Sequence, residues 1–203
     1  MKDFNGKVAF ITGAAHGFGK AIATKAASLG MKLTLVDQDK AALSKVADEL
    51  SKSTEVLKIV ADVTEEKNVD NAVDEAMKKY NEIDLLVNDA GVAVPGPIWE
   101  LPTRDWEWIL HADLMSQVYA LKKVIPIMMK QENGGDILNV ASAAGLLTAP
   151  GMPAYYATKF AVVGMTEAVA YDLQAYKQDK IHMHVFTPAF VQTHLMHSEE
   201  YRP

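Results

Sequence analysis

The chain has 203 residues, of which 49% are apolar and 23% are charged, and this balance predicts a single globular domain over residues 1–203. The net charge of −6 offers no electrostatic basis for binding nucleic acid, and the absence of cysteine excludes disulfides, thiolate metal sites and a cysteine nucleophile. The first apolar run, 8–11, is too short for a signal peptide or a membrane span, so we expect a cytoplasmic protein with no membrane partner.

Short apolar runs alternate with stretches of helical periodicity along the chain. The runs predict six strands, at 8–11, 33–36, 56–60, 83–87, 136–140 and 181–186. A helix is predicted after each of the first three strands, and two long helices, 103–130 and 153–176, separate the last three strands. Such alternation, with continuously apolar strands, is typical of a parallel sheet covered on both faces. The predicted fold class is therefore α/β, a Rossmann-like doubly wound parallel sheet in three layers.

A glycine-rich turn follows the first strand and opens the first helix. It contains Gly13, Gly17 and Gly19, with His16 and Phe18 between them. Glycine permits a tight turn and a close backbone approach, and a helix N-terminus offers free N–H groups to a pyrophosphate. The turn therefore predicts a dinucleotide site; the alternative is a glycine-rich connection that binds no ligand.

Acidic residues end the second and third predicted strands. Asp37 lies about 20 residues after the glycines, where a carboxylate can bind the adenosine ribose hydroxyls and repel a 2′-phosphate, which favours NAD over NADP. Alternatively, Asp37 is the N-cap of the helix that follows. Asp62, with Val63, could meet the adenine edge, or Asp62 could cap the loop before Thr64, and both interpretations remain open.

An acid–base pair is predicted at the start of the last long helix. Tyr155 and Lys159 are four residues apart, so they share one helix face. A phenol has an ordinary pKa of about 10, and a neighbouring ammonium lowers that pKa. We therefore expect Lys159 to bring the pKa of Tyr155 towards neutrality, whereas Tyr156 is not four residues before a lysine. Ser142 precedes Tyr155 by thirteen residues and, taken alone, could be an ordinary loop serine.

Taken together, these motifs resemble those of the short-chain dehydrogenase/reductase family, from about residue 4 to residue 193. The matching elements are Thr12-Gly-x-x-x-Gly-x-Gly19, Asp62-Val63, Asn88-Asp89-Ala90-Gly91, Ser142, Tyr155-x-x-x-Lys159, and Pro188 with Thr193. The spacing of the first two glycines resembles the oxidoreductase branch of the family.

The resemblance implies roles for individual residues. Tyr155 becomes the general acid/base, Ser142 binds the substrate oxygen, and Lys159 holds the nicotinamide ribose and lowers the tyrosine pKa. Thr193 reaches the nicotinamide carboxamide. The resemblance also adds Asn88, Ala90 and Gly91 to the cofactor site. It further implies a homodimer or homotetramer formed through the two long helices.

The chain departs from the family's pattern at three positions and at its end. Asp89 and Asp113 stand where the family usually has asparagine, and Ala189 where it usually has glycine. Asp113 falls within an apolar helical stripe, and a lone buried carboxylate costs several kcal/mol unless it is paired, hydrogen-bonded or protonated. We expect Lys159 to be its partner, which would partly cancel the field of Lys159 on Tyr155. A seventh strand, usual in the family, has no signal here, so the C-terminal strand is expected to be missing.

Apolar segments at 92–99 and 145–147 flank the expected site, which favours an apolar substrate; alternatively they pack only the core or a lid. His182 and His184 lie on one face of the sixth strand without a third ligand, so no metal site is expected. The leading hypothesis is an NAD-dependent oxidoreductase of secondary alcohols and ketones. The alternative is a dinucleotide-binding protein with weak or no catalysis, because of the three departures and the short C-terminus.

Overall fold

A six-stranded parallel sheet forms the centre of the computed structural model, which describes residues 3–189, 191 and 194–202. Its strands are β1 Val8–Thr12, β2 Lys32–Asp37, β3 Val56–Val60, β4 Leu85–Asn88, β5 Gly135–Val140 and β6 Ile181–Phe186. Their order is β3-β2-β1-β4-β5-β6, and every neighbouring pair is parallel. The predicted fold class is confirmed, and β4 begins two residues later than the apolar run suggested.

Helices cover both faces of this sheet. They are α1 Gly17–Ser28, α2 Lys40–Leu50, α3 Glu66–Tyr80, α4 Thr103–Leu110, α5 Ser116–Lys130 and α6 Pro153–Ala175. Side chains along a strand alternate between the faces, so Ala9 and Ile11 pack with α1 and α2 while Phe10 packs with α3 and α5. The three predicted layers are therefore present.

The region predicted as one long helix, 103–130, is interrupted. Between α4 and α5 the chain forms a π-helical segment, His111–Met115, with Asp113 at its centre. Just after it, the hydroxyl of Ser116, the first residue of α5, donates to the carbonyl of Ala112 at 2.6 Å. Such wide turns are rare and often occur at functional sites. Hydrophobic periodicity does not report the local widening of a helix, so the uniform helix expected for 103–130 was wrong.

The strand order reverses direction between β1 and β4, which opens a crevice at their C-terminal ends. Thr12, the last residue of β1, holds this edge together. Its Oγ1 accepts from the backbone N–H groups of Asp89 at 3.2 Å and Ala90 at 3.3 Å. The loop that follows β4 is thus fastened to the end of β1.

We expect Thr12→Val to destabilise the fold by about 1–2 kcal/mol, because it leaves two backbone N–H groups without their acceptor. Thr34 offers a matched control, since its buried Oγ1 has no hydrogen-bond partner among the described residues. Thr34→Val should leave stability unchanged or raise it slightly. The free energies of unfolding, measured by denaturant titration, check both substitutions. Equal losses in the two variants would contradict the role assigned to Thr12.

Candidate active site

A cavity of ≈ 490 Å³ opens at the C-terminal ends of the strands. Most of the residues predicted for the site lie on its wall, namely Gly13, His16, Gly17, Phe18, Asp37, Asp62, Val63, Ala90, Gly91, Ser142, Tyr155 and Lys159. Gly19, Asn88 and Asp113 are not on that wall. Thr193 lies outside the described residues. The sequence motifs therefore converge on one cavity, with three predicted residues behind its surface.

The glycine-rich turn approaches the loop after β4 so closely that side chains would not fit. Gly13 has φ +67°, and a Cβ there would lie 2.8 Å from the backbone nitrogen of Ala90. The backbone N–H of Gly19 donates to Asp89 Oδ2 at 2.5 Å. A bare backbone at the N-terminus of α1 is the arrangement that a pyrophosphate requires, so the turn fits a dinucleotide.

At the end of β2, Asp37 organises the turn and faces the cavity. Its carboxylate accepts from the backbone N–H of Ala15 and from that of Asp39, each at 2.9 Å. The N-cap of α2 is Asp39, whose Oδ1 accepts from the N–H groups of Ala41 and Ala42. The alternative interpretation of Asp37 as the N-cap is therefore wrong. Asp37 lies on the cavity wall, which is where a residue that binds a ribose has to lie.

His16 and Asp62 have defined partners at the same end of the cavity. His16 Nε2 lies 3.0 Å from Asp39 Oδ2, which joins the start of α1 to the start of α2. Asp62 Oδ1 accepts from both the backbone N–H and the hydroxyl of Thr64, at 2.9 and 2.8 Å. The loop-cap interpretation of Asp62 is thus confirmed. Because Asp62 also lies on the wall, contact with an adenine stays a prediction.

Asn88 is a structural residue in this arrangement. It is buried at the end of β4, and its Nδ2 donates to Asn139 Oδ1 at 2.9 Å, which joins β4 to β5. Asn139 in turn donates to Thr166 Oγ1 on α6 at 2.9 Å. The side chain of Asn88 therefore orders the sheet beneath the cavity, and Ala90 and Gly91 are the members of its motif that reach the wall.

The candidate acid–base residues meet at the opposite end of the cavity. Lys159 Nζ lies 5.4 Å from the centre of the Tyr155 ring and donates to the carbonyl of Val140 at 3.3 Å. Ser142 follows β5 and caps a short 3₁₀ turn by accepting from the N–H of Ala144 at 3.1 Å. α6 and the turn after β5 thus bring Ser142, Tyr155 and Lys159 to one place, as their spacing predicts.

The expected partnership between Asp113 and Lys159 is present. Asp113 is 0% exposed, and its Oδ2 lies 3.6 Å from Lys159 Nζ. Its Oδ1 accepts from the backbone N–H of Val92 at 2.7 Å, and its Oδ2 accepts from the Thr158 hydroxyl at 3.0 Å. Thr158 was not predicted. It lies three residues after Tyr155, so the helical spacing could have indicated that it shares a helix face with Tyr155.

The protein's own groups shift the pKa of Tyr155 in the direction opposite to that expected. Burial raises the pKa of Tyr155 above its ordinary value, and the charges of Asp113 and Asp89 raise it further. The field of Lys159 and a hydrogen bond to Ser142 lower the pKa but do not outweigh these effects. The expected fall towards neutrality is therefore wrong for the protein alone, because the expectation counted Asp113 only as weakening the field of Lys159 and left out burial and Asp89.

Burial also shifts the pKa of the neighbouring charged groups. It raises the pKa of Asp89 to about 7, against the hydrogen bond from Gly19 and the field of Lys159. It raises the pKa of Asp113 as well, although Lys159 opposes this shift. For Lys159, burial lowers the pKa, but the charge of Asp113 and its other acidic neighbours produces a net rise. Lys159 is therefore an ammonium at neutral pH.

Part of the cavity wall comes from a segment that the sequence motifs do not include. Leu195, Ser198 and Tyr201 of the 3₁₀ segment His194–Tyr201 lie on that wall. Ser198 Oγ accepts from the backbone N–H of Ala93 at 3.1 Å, and the Tyr201 hydroxyl donates to Asp39 Oδ2 at 3.3 Å. These contacts join residues that lie far apart in the chain, so no local sequence pattern predicts them.

Within the described part of the chain, no group of three or more His, Cys, Asp or Glu side chains could hold a metal ion. His184 Nε2 instead lies 2.8 Å from Asp136 Oδ1 on the neighbouring strand. Among the same residues, no helix combines the length and apolarity needed to cross a membrane.

Known proteins share both the sequence and the fold. The family described as short chain dehydrogenase matches residues 7–202. The chain belongs to the short-chain dehydrogenase/reductase family. A "CLA biosynthesis dehydrogenase/reductase" of Lactiplantibacillus plantarum is 64% identical over 204 residues, which cover 100% of this chain and 71% of that protein.

Two further similarities extend this result. A "3beta-hydroxysteroid dehydrogenase 2" of Eggerthella lenta is 34% identical over 192 residues, which cover 94% of this chain and 73% of that protein. A solved short-chain dehydrogenase/reductase from Burkholderia phymatum, in complex with NAD, has a TM-score of 0.96 at 40% identity and is matched over 72% of its length by 100% of this chain. The chain is thus a member of an oxidoreductase family of Rossmann-like fold.

Proposed function

We propose that the protein transfers hydride between NAD and an apolar secondary alcohol or ketone. The observation that carries this proposal is the convergence of Ser142, Tyr155 and Lys159 on the wall of the same cavity as a bare glycine-rich turn. NAD supplies the hydride acceptor, and its reduced form the hydride donor. The residues of the chain supply orientation and the proton.

Tyr155 exchanges the proton of the reaction. In alcohol oxidation the phenolate takes the hydroxyl proton while hydride leaves the carbon, and in ketone reduction the phenol returns a proton to the oxygen. Ser142 donates a hydrogen bond to that oxygen and keeps it within reach of Tyr155. Lys159 Nζ, 5.4 Å from the Tyr155 ring centre, favours the phenolate and offers its remaining hydrogen bonds to a ribose hydroxyl.

Asp37 favours NAD over NADP. Its carboxylate stands on the cavity wall, fixed by two backbone N–H groups, so it can accept from ribose hydroxyls but repels a phosphate in the same place. Asp62 and Val63 lie at the same end and suit contact with the adenine. Gly13, Gly17 and Gly91 leave room for the pyrophosphate and the nicotinamide ribose.

The wall near Tyr155 suits an apolar substrate. The apolar side chains on it include Val92, Ala144, Leu147, Met152 and Leu195. Ile98 and Trp99, in the neighbouring loop, are largely exposed and extend this apolar surface outside the cavity. We also propose a homodimer or homotetramer, because α6 carries the exposed aromatic side chains Phe160 and Tyr171.

The second candidate is a dinucleotide-binding protein with weak or no catalysis. The raised pKa of Tyr155 favours it, because a phenol that rarely ionises is a poor base. The two candidates share the cofactor site and differ in turnover alone.

Separate titrations with NADH and NADPH test the cofactor assignment. We expect the Kd for NADH to be at least about tenfold lower, because Asp37 repels the additional phosphate of NADPH. Asp37→Asn should narrow that difference, whereas Asp136→Asn, which lies on β5 outside the cavity wall, should preserve it. Equal affinities in the parent protein would contradict the assignment. Tight NADH binding without turnover on any of a broad panel of alcohols and ketones would favour the second candidate.

Replacement of the two adjacent tyrosines tests the assignment of the acid/base. Tyr155→Phe should lower kcat about 1000-fold and leave the Kd for NADH within about threefold, because it removes the proton and little contact area. Tyr156→Phe is the matched control and should retain kcat within about threefold. A Tyr155→Phe enzyme with near-parental turnover would exclude Tyr155 as the proton carrier.

Asp113→Asn should raise turnover in alcohol oxidation near neutral pH. The substitution removes a negative charge that raises the pKa of Tyr155, so the phenolate forms at lower pH. Oxidation requires the phenolate, and its rate therefore rises with pH through that pKa. We expect the midpoint of this rise in the kcat profile to move down by about one pH unit.

Asp105→Asn is the control for this shift, because Asp105 is also fully buried in the preceding helix but pairs with Arg202. Its pH midpoint should match that of the parent. Unchanged turnover of the Asp113→Asn enzyme at saturating substrate would show that Asp113 does not act on Tyr155.

A further inference from the structure

Two carboxyl groups, the buried Asp113 and the half-buried Asp89, act on the single ammonium of Lys159 at the cavity. Asp113 lies behind the wall, 3.6 Å from Lys159 Nζ, and Asp89 lies on the wall itself. Gly91 packs against the pair of Asp113 and Lys159: a Cβ there would lie 3.1 Å from Asp113 Oδ1 and 3.4 Å from Lys159 Nζ. Asp113 and Lys159 thus meet beside Gly91, and Asp89 precedes Gly91 by two residues in the same loop and acts electrostatically on Lys159.

The hydrogen bonds of these groups do not balance their charges, because two carboxyl groups share one ammonium. Asp113 is held by Val92, Thr158 and Lys159, so the one ammonium is already committed to it. Asp89 accepts from the backbone N–H of Gly19 at 2.5 Å, which is a neutral donor. When both carboxyl groups are ionised, two negative charges therefore oppose one positive charge, and the three groups together carry a net charge of about −1.

A nicotinamide ring carries a positive charge when oxidised and none when reduced. We propose that the excess of carboxylate around Lys159, supplied by Asp89 and Asp113, makes the cavity select the oxidised form of the dinucleotide over the reduced form. This inference rests on the proposed function, because it requires the cofactor to bind with its nicotinamide near Tyr155. In a poorly solvated cavity, one unit of charge changes an affinity on the order of tenfold.

The selection depends on pH through Asp89. Burial raises the pKa of Asp89 to about 7, the charge of Asp37 acts in the same sense, and Gly19 and Lys159 oppose the rise. The other titratable groups on the wall are His16, Asp62, Tyr155, Tyr156 and Tyr201. As the pH falls through about 7, Asp89 becomes neutral and the excess charge is lost; as the pH rises through about 7, Asp89 becomes an anion and the preference for the oxidised cofactor develops.

The direct test is the ratio of two dissociation constants, Kd(NADH)/Kd(NAD⁺), measured by calorimetry without substrate at pH 6 and pH 8.5. In the parent protein we expect the ratio to rise about tenfold between the two pH values. In Asp89→Asn it should be about tenfold lower than in the parent at pH 8.5 and similar to the parent at pH 6. A ratio that responds neither to pH nor to this substitution would overturn the inference.

Two control variants distinguish the effect of a carboxylate near Lys159 from the effect of removing a charge elsewhere in the cavity. Asp62→Asn removes an exposed carboxylate at the far end of the same cavity. Kd(NADH) and Kd(NAD⁺) should therefore change by the same factor, and their ratio should remain the same. His16→Gln should retain the pH dependence, which distinguishes Asp89 from the histidine on the wall. A ratio that falls equally in Asp62→Asn, or a pH dependence lost in His16→Gln, would also count against the inference.

A second variant keeps the test decisive if Asp89→Asn does not fold. Asp113→Asn removes the other carboxylate and should lower the ratio at pH 8.5 by a similar factor, because it leaves Lys159 opposed by Asp89 alone. An unchanged ratio in a folded Asp113→Asn protein contradicts the inference. Failure of the parent protein to bind either form of the cofactor would instead contradict the proposed function, so the two failures are distinguishable.

Discussion

The buried ion pair between Asp113 and Lys159 is the interaction on which the candidate site depends. Removing two charges from water costs several kcal/mol for each, and this cost is offset only if both find close partners. Asp113 has the N–H of Val92 and the hydroxyl of Thr158, and Lys159 has the carbonyl of Val140. The pair therefore joins the π-helical segment, the loop after β4, the end of β5 and α6. The orientation of the first turns of α6 follows from these contacts.

The same pair determines how Tyr155 behaves electrostatically. When an ammonium is paired with a carboxylate, its electrostatic effect on the pKa of a neighbouring phenol is weaker. Burial disfavours the phenolate as well. Lys159 and Ser142 favour ionisation of Tyr155, while burial, Asp113 and Asp89 oppose it more strongly. In the proposed reaction, a protonated Tyr155 suits donation of a proton to a ketone. A cavity that prefers oxidised NAD favours the same direction, since reduction of the ketone leaves the cofactor in that form.

Local patterns predicted what depends on local spacing. Six apolar runs indicated six parallel strands, and the interval of four residues placed Tyr155 beside Lys159. The π-helical turn at Asp113 was missed because one wider turn barely alters an apolar stripe. The contact of Tyr201 with Asp39 spans 162 residues and has no counterpart in any motif. The direction of the tyrosine pKa shift failed for the same reason: it depends on burial and on charges brought together by the tertiary fold.

Two of the departures from the family pattern, Asp89 and Asp113, preserve the shape of the site and change its charge. An asparagine and an aspartate have nearly the same size, and either can accept the N–H bonds that Gly19 gives to Asp89 and Val92 gives to Asp113. With asparagine at both positions, Lys159 would leave this end of the cavity with a charge of about +1, whereas two ionised aspartates bring it to about −1. Packing and hydrogen bonds therefore cannot reveal the difference. It acts on the groups whose charge changes during the reaction, which are the phenol of Tyr155 and the nicotinamide.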